Sequence, residues 1–461
     1  MSDSSLSEQV RSRIDALVRA QMSEAPVPGV AVGIVQGGAL VDLLSFGHSD
    51  IESGSVPNER SVARVASVTK TFTATAIMQM RDASLLALDD PLLLYIPEFM
   101  IAQAVAGPLE GVTIRRMLTH HSGLSTEHPD LDWDVPDFPT HEHLMDSLEK
   151  IQVVIPQDSQ WKYSNLAYAL LGEVVSRLSG KSYTDFVHDE IIGPVGLANT
   201  AFDLSPEQEK LKMTGYSPAK PGELGFRVAP NGHLRGFTSA GQLHSNIEDL
   251  AKWIGFQLGE GPSSVLSQAS RKEMHRPNYV GDDWSWGQCL GWRALRVGER
   301  VYLNHGGALH GFSTSVVFNA TARTGVITFV NMWPTGLPSD LALKIAKIVI
   351  DGAAEAQSQG TQASAVQTGV ADSTEFDGRY FAEPGLPVTV WAGEGGGLVF
   401  AKPAEREPTL HAPARLEPAG DPDRFRIVNG RGAGEIAVFM RSEAGAITGF
   451  TLGGFNYRRI A

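Results

Sequence analysis

The sequence predicts an α+β protein: an antiparallel sheet with a helical subdomain, followed by a small all-β barrel. Three observations predict it. Strand-like segments bracket a long helical middle. A stretch rich in Ala, Gln, Ser and Thr then interrupts the pattern. Beyond it, short apolar and β-branched runs recur between Gly, Pro and Asn.

The elements follow in order. "LSEQVRSRIDALVRAQ" places Leu6, Val10, Ile14, Leu17 and Val18 on one helical face. It lacks the basic start and continuous apolar core of a secretory signal, and reads as an amphipathic helix of a cytoplasmic protein. "VPGVAVGIVQGGALVDLLSFGHSD" alternates around Gly37-Gly38, a hairpin signal. A helix is predicted from Ser67 to Leu85. The region from Leu88 to Asp203 reads mostly helical. It includes "NLAYALLGEVVSRLSG", with Leu166, Leu170, Val174 and Leu178 at helical spacing and Gly180 as its stop. Strands return at "RVYLNHGG", "FSTSVVFNA" and "GVITFVNM", and "SDLALKIAKIVIDGA" closes the unit, so both ends share one sheet. Residues 1–352 are therefore read as a first domain, 353–373 as a linker and 374–461 as the β unit.

Composition excludes some functions. The 461 residues carry 38 Lys and Arg against 52 Asp and Glu, a net charge of −14. Nucleic acid and anionic membrane surfaces both call for basic patches, so neither is an expected partner. No run approaches the roughly 20 apolar residues that span a bilayer. Cys289 is the sole cysteine, which rules out an intramolecular disulfide and a thiolate zinc site.

The chemistry begins at "RVASVTKTFTATAIMQM". Ser67 and Lys70 stand one helical turn apart, so the lysine can reach the hydroxyl. A serine hydroxyl is a weak nucleophile without a base. A buried lysine can lose its proton far below its ordinary pKa of about 10.4. The same spacing also fits an ordinary helix that begins with a serine, so the surroundings decide. In "WKYSNLAYALLG", Tyr163 can shuttle a proton and Asn165 can hold a substrate amide or the lysine; a helix cap is the bland alternative. In "LNHGGALHGF", His305, Gly306 and Gly307 can let a substrate backbone approach a strand; a simple turn is the alternative.

The order S-x-x-K, Y-x-N, H-G-G resembles the serine β-lactamase and penicillin-binding-protein superfamily, closest to its class C branch. "LALDDPLLLYIPEF", "TIRRMLTHHSGL" and "TSAGQLHSNIEDLAKW" look like framework segments of that family. The resemblance covers about residues 5–350 and implies its fold. It makes Ser67 the acyl-accepting nucleophile, Lys70 its base, Tyr163 a second base or acid and Asn165 a substrate-positioning residue. His305 stands where many relatives carry lysine, which weakens a β-lactamase assignment and favours peptidase, esterase or acyl-transfer members. The oxyanion hole falls to the Ser67 N–H and an N–H after His305-Gly306-Gly307, from Ala308 or Leu309. Phe237, with Gly236 and Thr238, belongs near the cleft on the same pattern.

Lipocalin-like barrels follow this catalytic domain in D-amino-acid-specific peptidases. They also follow it in penicillin-binding-protein-type thioesterases that close nonribosomal peptides head to tail. The layout here, with the His-containing third motif, looks most like those cyclases. A D-stereospecific peptidase or D-aminopeptidase, or a class C-like esterase or acyltransferase, is the alternative. The implied partner is a peptidyl thioester or a D-residue-containing peptide, delivered by a carrier protein in the cyclase case. A catalytically inert peptide-binding relative is the competing class, but Ser67 and Lys70, which such relatives lose, are both present.

Smaller signals complete the reading. One of Arg458 and Arg459 would point from the last strand toward the first domain and hold a substrate carboxylate, or both sit at a solvated chain end. Trp284, Trp286 and Trp292 line an apolar acyl pocket or pack a core. "THEHL" and "THHSG" match no standard zinc spacing, so no metal or cofactor is expected. "GAGEIA" sits among the strands of the β unit with no helix after it, unlike a dinucleotide site, and reads as a turn.

Overall fold

A computed structural model of the chain describes residues 6–132, 136–219, 225–333, 335–362, 373–381, 388–392, 397–401, 414–427, 436–452 and 455–460. They form two compact units, Met1–Gln357 and Ser358–Ala461.

The first unit contains helices α1 (Glu8–Glu24), α2 (Thr69–Asp82), α3 (Asn165–Ser179), α4 (Ile247–Gln257) and α5 (Leu337–Gln362), with shorter helical turns between them. Its large sheet has strands β1 (Gly29–Gln36), β2 (Ala39–Gly47), β3 (Tyr279–Val280), β4 (Trp286–Gln288), β5 (Arg293–Val297), β6 (Arg300–Leu309), β7 (Phe312–Asn319) and β8 (Thr324–Val330). Their order is β2-β1-β8-β7-β6-β5-β4-β3. The two ends of the unit meet where β1 pairs antiparallel with β8, Val30 opposite Val330 and Gln36 opposite Thr324. Gly37 and Gly38 join β1 to β2 with φ of 60° and 93°, the positive values a tight two-residue hairpin needs.

Strand β1 is buried on both faces because helices cover both. Val30, Val32 and Ile34 pack with Val10, Ile14 and Val18 of α1 and with Leu341, Ile345 and Val349 of α5. Ala31 and Val35 join the larger core, with Phe72 and Ile77 of α2, Leu170 of α3 and Ile247 of α4. A Cβ on Gly33 would stand 2.3 Å from Ile247 Cγ2, so glycine there lets α4 lie directly on the sheet. Helix α3 starts at Ser164, whose hydroxyl accepts from the Ala167 N–H, and stops at Gly180 in the left-handed conformation.

Two sequence expectations change, and one alternative falls away. The predicted linker 353–373 begins as helix: α5 runs on to Gln362. Ala353, Ala354, Glu355, Ala356 and Gln357 are good helix formers and carry no stop signal; residues 363–372 lie outside the described residues. His305-Gly306-Gly307 continue the strand expected at "RVYLNHGG", and the alternative of a turn there falls away. They lie inside β6, and the turn comes at His310-Gly311, both with positive φ. The segment from Tyr279 to Val297 was expected only as an aromatic cluster, yet supplies β3, β4 and β5. Gly281, Gly287 and Gly291 break the alternation that would have marked them.

The second unit has eight described strands: β9 (Gly378–Phe381), β10 (Val388–Ala392), β11 (Leu398–Ala401), β12 (Ala414–Ala419), β13 (Asp421–Ile427), β14 (Ile436–Arg441), β15 (Ile447–Leu452) and β16 (Phe455–Arg459). Each pairs with its sequence neighbour, and β16 returns to pair with β9, Arg459 opposite Tyr380, so the sheet closes into a barrel. Phe376, Tyr380, Phe425, Phe439 and Phe450 fill its core. "ITGFTLGGFNYRR" supplies the last two strands, β15 and β16. "TLHA", an apolar run that reads as a short strand of the β unit, and the start of "GAGEIA" lie outside the described residues. No helix among the described residues is long and apolar enough to cross a membrane.

Candidate active site

Ser67 sits in a short 3₁₀ turn, Ala66–Val68, that leads into α2. Ala66 is buried at φ 45°, a left-handed value that an L-residue adopts only when its surroundings impose it. The turn is pinned from two sides: the Thr69 hydroxyl donates to Ala66 O at 2.6 Å, and the Val65 N–H to Leu243 O at 2.9 Å. Strand β6 presses on it from a third side. A Cβ on Gly307 would fall 2.0 Å from Val65 O and 3.0 Å from Ser67 N, so only glycine allows this approach.

Lys70, one turn later, is completely buried. Its ammonium donates to Ser67 Oγ at 3.2 Å, to Asn165 Oδ1 at 2.7 Å and to Ala240 O at 2.6 Å. Burial presses its pKa down to about 7, and the negative field of Glu127 resists that fall. At neutral pH the lysine is thus poised between charged and neutral forms. Asn165 is the first residue of α3, held at the helix start by the Ser164 cap; the cap and the site coexist in one tripeptide. Its Nδ2 donates to Glu127 Oε1 at 2.6 Å, which fixes the amide with its oxygen toward Lys70. Burial lifts the Glu127 carboxyl to about 7, against the Asn165 hydrogen bond and the Lys70 charge. Glu127 Oε2 is buried without a protein partner.

Tyr163 hydrogen-bonds with Ser67. Burial pushes its phenol well above the usual tyrosine range. Its ring lies 4.3 Å from that of His120, and the Lys70 ammonium stands 4.9 Å from the Tyr163 ring centre. The His120 Nδ1 accepts from the Ser164 N–H at 3.1 Å, so His120 braces the tyrosine loop as a neutral ring. Burial, then Lys70, His305 and Arg293, hold its pKa well below the ordinary value.

His305 Nδ1 donates to Gly306 O at 2.7 Å. Burial, with Lys70 and Arg293 nearby, presses its pKa to about 3. At neutral pH the ring is uncharged and its Nδ1–H is committed, leaving Nε2 as an acceptor.

The other expected residues divide. Phe237 and Ala308 line one small hollow with Ser67, Asn165, Phe138 and Leu309. Trp286 lies 5.8 Å from Trp161, beside Tyr163, but Trp284 is 67% exposed and Trp292 packs against Phe318 in the core. Arg459 donates to the carbonyls of Glu375, Asp377 and Ile447 in its own barrel, which commits that guanidinium within the unit. Arg458, on the same strand, is exposed. Of the histidines set aside as metal ligands, His143 meets Asp130 at 2.8 Å near His128, but the Lys150 ammonium already occupies Asp130 at 2.7 Å.

Sequence reading missed Glu127, His120 and Arg293. Glu127 follows "SGLST" in a loop, and Arg293 opens an unforeseen strand. Neither bears a spacing relation to Ser67; the fold alone brings them in.

A serine hydroxyl hydrogen-bonded to a buried, neutralisable lysine and covered by a glycine strand defines the serine-nucleophile hydrolases that work without a Ser-His-Asp triad. Residues 14–349 match the Beta-lactamase family, and the chain belongs to it. Protein flp of Staphylococcus aureus (strain MW2) is 24% identical over 334 residues, 71% of this chain, and the match spans 64% of that protein's length. Beta-lactamase-like protein 2 of Dictyostelium discoideum is 27% identical over 283 residues, 60% of this chain and half of its own length. Among solved structures, the octameric penicillin-binding protein homologue from Pyrococcus abyssi aligns with a TM-score of 0.62 at 21% identity, over 97% of this chain and 99% of that one. A class C beta-lactamase aligns at 0.64 and 18% identity, over 75% and 98%. These structural likenesses establish the fold.

Proposed function

We propose that this chain is a serine acyl-enzyme catalyst acting on peptide-like acyl donors, with Ser67 as nucleophile and Lys70 as the base that takes its proton. The carrying observation is the completely buried Lys70 ammonium at 3.2 Å from Ser67 Oγ. The first proton goes to Lys70 because burial lowers its pKa into the neutral range while the same burial raises that of Tyr163. Ser67 Oγ attacks the donor carbonyl, and the developing oxyanion meets the backbone N–H groups of Ser67 and Ala308. The carbonyl–leaving-group bond then breaks, and the proton taken from Ser67 passes through Tyr163 to the departing atom. A second nucleophile repeats these steps in reverse and frees Ser67.

The specific reading is transfer of a peptidyl group with a D-configured C-terminal residue to the peptide's own amine, closing a ring. The donor is a thioester brought by a carrier protein. The neutral His305 in place of lysine and a C-terminal barrel of lipocalin-like topology favour it. Hydrolysis of D-residue peptides is the second reading, favoured by the same site with water as acceptor. A peptidyl thioester with a D-residue at its C-terminus and a free N-terminal amine separates them: cyclic product supports the first, linear acid alone the second. Failure of a fluorescent penicillin and a fluorophosphonate to label Ser67 in the folded protein would overturn the acyl-enzyme proposal itself.

A further inference from the structure

We propose that Phe138 is a specificity-determining gate. Its side chain divides the hollow beside Ser67 from a larger outer cavity, and a peptidyl donor longer than one residue threads from one into the other when the ring turns. The proposal deepens the acyl-enzyme reading and rests on it for the direction in which the donor lies. The two cavities and the partition between them stand on geometry.

The hollow lined by Ser67, Asn165, Ala308 and Leu309 measures about 20 Å³. That is room for one water molecule or a methyl group, against the roughly 300–1,000 Å³ of an ordinary ligand pocket. An outer cavity of about 420 Å³ is lined by Asp130, Asp132, Thr140, His143 and Arg235. Phe138 lines both. The facing loop divides in the same way, with Leu234 toward the hollow and Arg235 toward the outer cavity. The partition is therefore thin, and removing one side chain from it would join the two spaces.

The backbone of this partition is held in place. The Phe138 N–H donates to His233 O at 3.0 Å. On either side, the His233 N–H donates to Asp137 Oδ1 at 2.9 Å and the Gly236 N–H to Pro139 O at 3.0 Å. Asp137 also pairs with Arg235, and Arg64 Nη2 donates to Gly232 O at 2.7 Å, which anchors the facing loop in turn. Movement is thus left to the Phe138 ring. It meets Phe237 edge-to-face at 6.0 Å and His310 at 6.2 Å. Contacts of this kind orient a ring without locking it, and a bound chain can replace them.

What the ring covers indicates the chemistry of that chain. His310 opens the turn after β6 at φ 43°, two residues beyond Ala308. It is 8% exposed, and neither ring nitrogen has a hydrogen-bond partner among the described residues. Burial, with Arg64 nearby, presses its pKa to about 4, so the neutral ring offers one donor and one acceptor. Leaving both unserved in an interior is unfavourable. A peptide that displaces the Phe138 edge brings amide N–H and C=O groups to that ring, and the polar outer cavity suits its continuation. A fatty acyl tail would serve neither.

Steady-state kinetics with three thioester donors test the gate. One carries a single N-acetyl-D-alanyl residue, the second places two further residues before that D-alanine, and the third carries an unbranched alkyl acyl chain of the second donor's length. In Phe138→Ala, kcat/KM for the long peptide relative to the short one should rise about 10-fold or more, and the alkyl donor should gain less. Phe138→Trp, which thickens the partition, should lower the same ratio. A purely structural role for Phe138 would change both peptide donors alike and leave the ratio where it was. Circular dichroism and melting temperature establish that each variant is folded. If Phe138→Ala fails to fold, Phe138→Leu takes its place, and Phe138→Trp supplies the opposite sign. A ratio that stays constant across these variants, or falls in Phe138→Ala, overturns the gate. An alkyl donor that gains as much as the long peptide overturns the peptide assignment. If no donor is turned over and Ser67 takes no label, the acyl-enzyme reading fails by itself. Calorimetric binding of the free long and short peptides to the same variants then judges the gate by the same ratio.

Discussion

The two sides of Ser67 are built on opposite principles. On the lysine side every polar group but one is paired: Lys70 has three acceptors, and Asn165 bridges it to Glu127. On the tyrosine side stand tilted, packed rings, a neutral His305 and a cation, Arg293, that no described residue pairs. A closed network fixes geometry and controls a proton. A cation held only by aromatic faces has no such fixed network. The contrast places the groups that can hold a proton on the lysine side.

The strongest way to break this comparison is to remove the base. Lys70→Met should lower kcat by about 1,000-fold or more, because Ser67 then has no acceptor for its proton. Titrating Ser67 with a fluorophosphonate should show labelling slowed to a similar degree. A variant that still acylates at the parental rate would move the proton-handling role across the site to Tyr163.

The lysine side was largely legible in the sequence; on the tyrosine side Tyr163 and His305 were, but Arg293 and Trp161 were not, for a physical reason. Ser67 and Lys70 lie one helical turn apart, and Asn165 follows a recognisable cap, so local periodicity and chain order expose them. Arg293 and Trp161 meet across separate elements, in a corner whose strands are disguised by Gly281, Gly287 and Gly291. Glu127 was hidden similarly, on a loop that carries no period. The same limit acted on the fold. The alternating β1 and β2 and their Gly37-Gly38 turn were readable, as was helix α3 with its Gly180 stop. The end of α5 was not, because an Ala- and Gln-rich tail serves equally well as helix or as linker.

A smaller loss is expected from the strand that covers the nucleophile. Gly307→Ala must displace either β6 or the Ser67 turn, since the new Cβ would otherwise lie 2.0 Å from Val65 O. Overpacking of this kind typically costs about 1–3 kcal/mol. A shifted Ser67 N–H also weakens oxyanion binding, so kcat should fall by about 10- to 100-fold. Thermal melting and steady-state kinetics on one preparation check both effects. If stability falls and kcat does not, β6 has yielded and its N–H groups lie outside the oxyanion site.

The most delicate change sharpens the lysine side without dismantling it. With the Lys70 pKa near 7, kcat/KM should rise with pH through about that value as the ammonium loses its proton. The negative field of Glu127 raises the lysine pKa against the pull of burial. Glu127→Gln removes that field and keeps a carbonyl oxygen for the Asn165 N–H. The lysine should then deprotonate more readily, and the acid limb should move to lower pH with little loss at the plateau. Stability carries the opposite signature of the same carboxyl. Its folded pKa, near 7, lies above the ordinary 4.5, so the folded chain holds an extra proton between those values. The stabilisation from that proton is complete below about 4.5 and is lost as pH rises toward 7. In Glu127→Gln this slope disappears, and melting temperatures measured from pH 5 to pH 7 should become flatter. A pH–rate limb that stays in place, beside a flattened stability profile, would make Glu127 a structural acid with no hold on Lys70. A limb that moves down with it ties the buried carboxyl to the proton on which the chemistry turns.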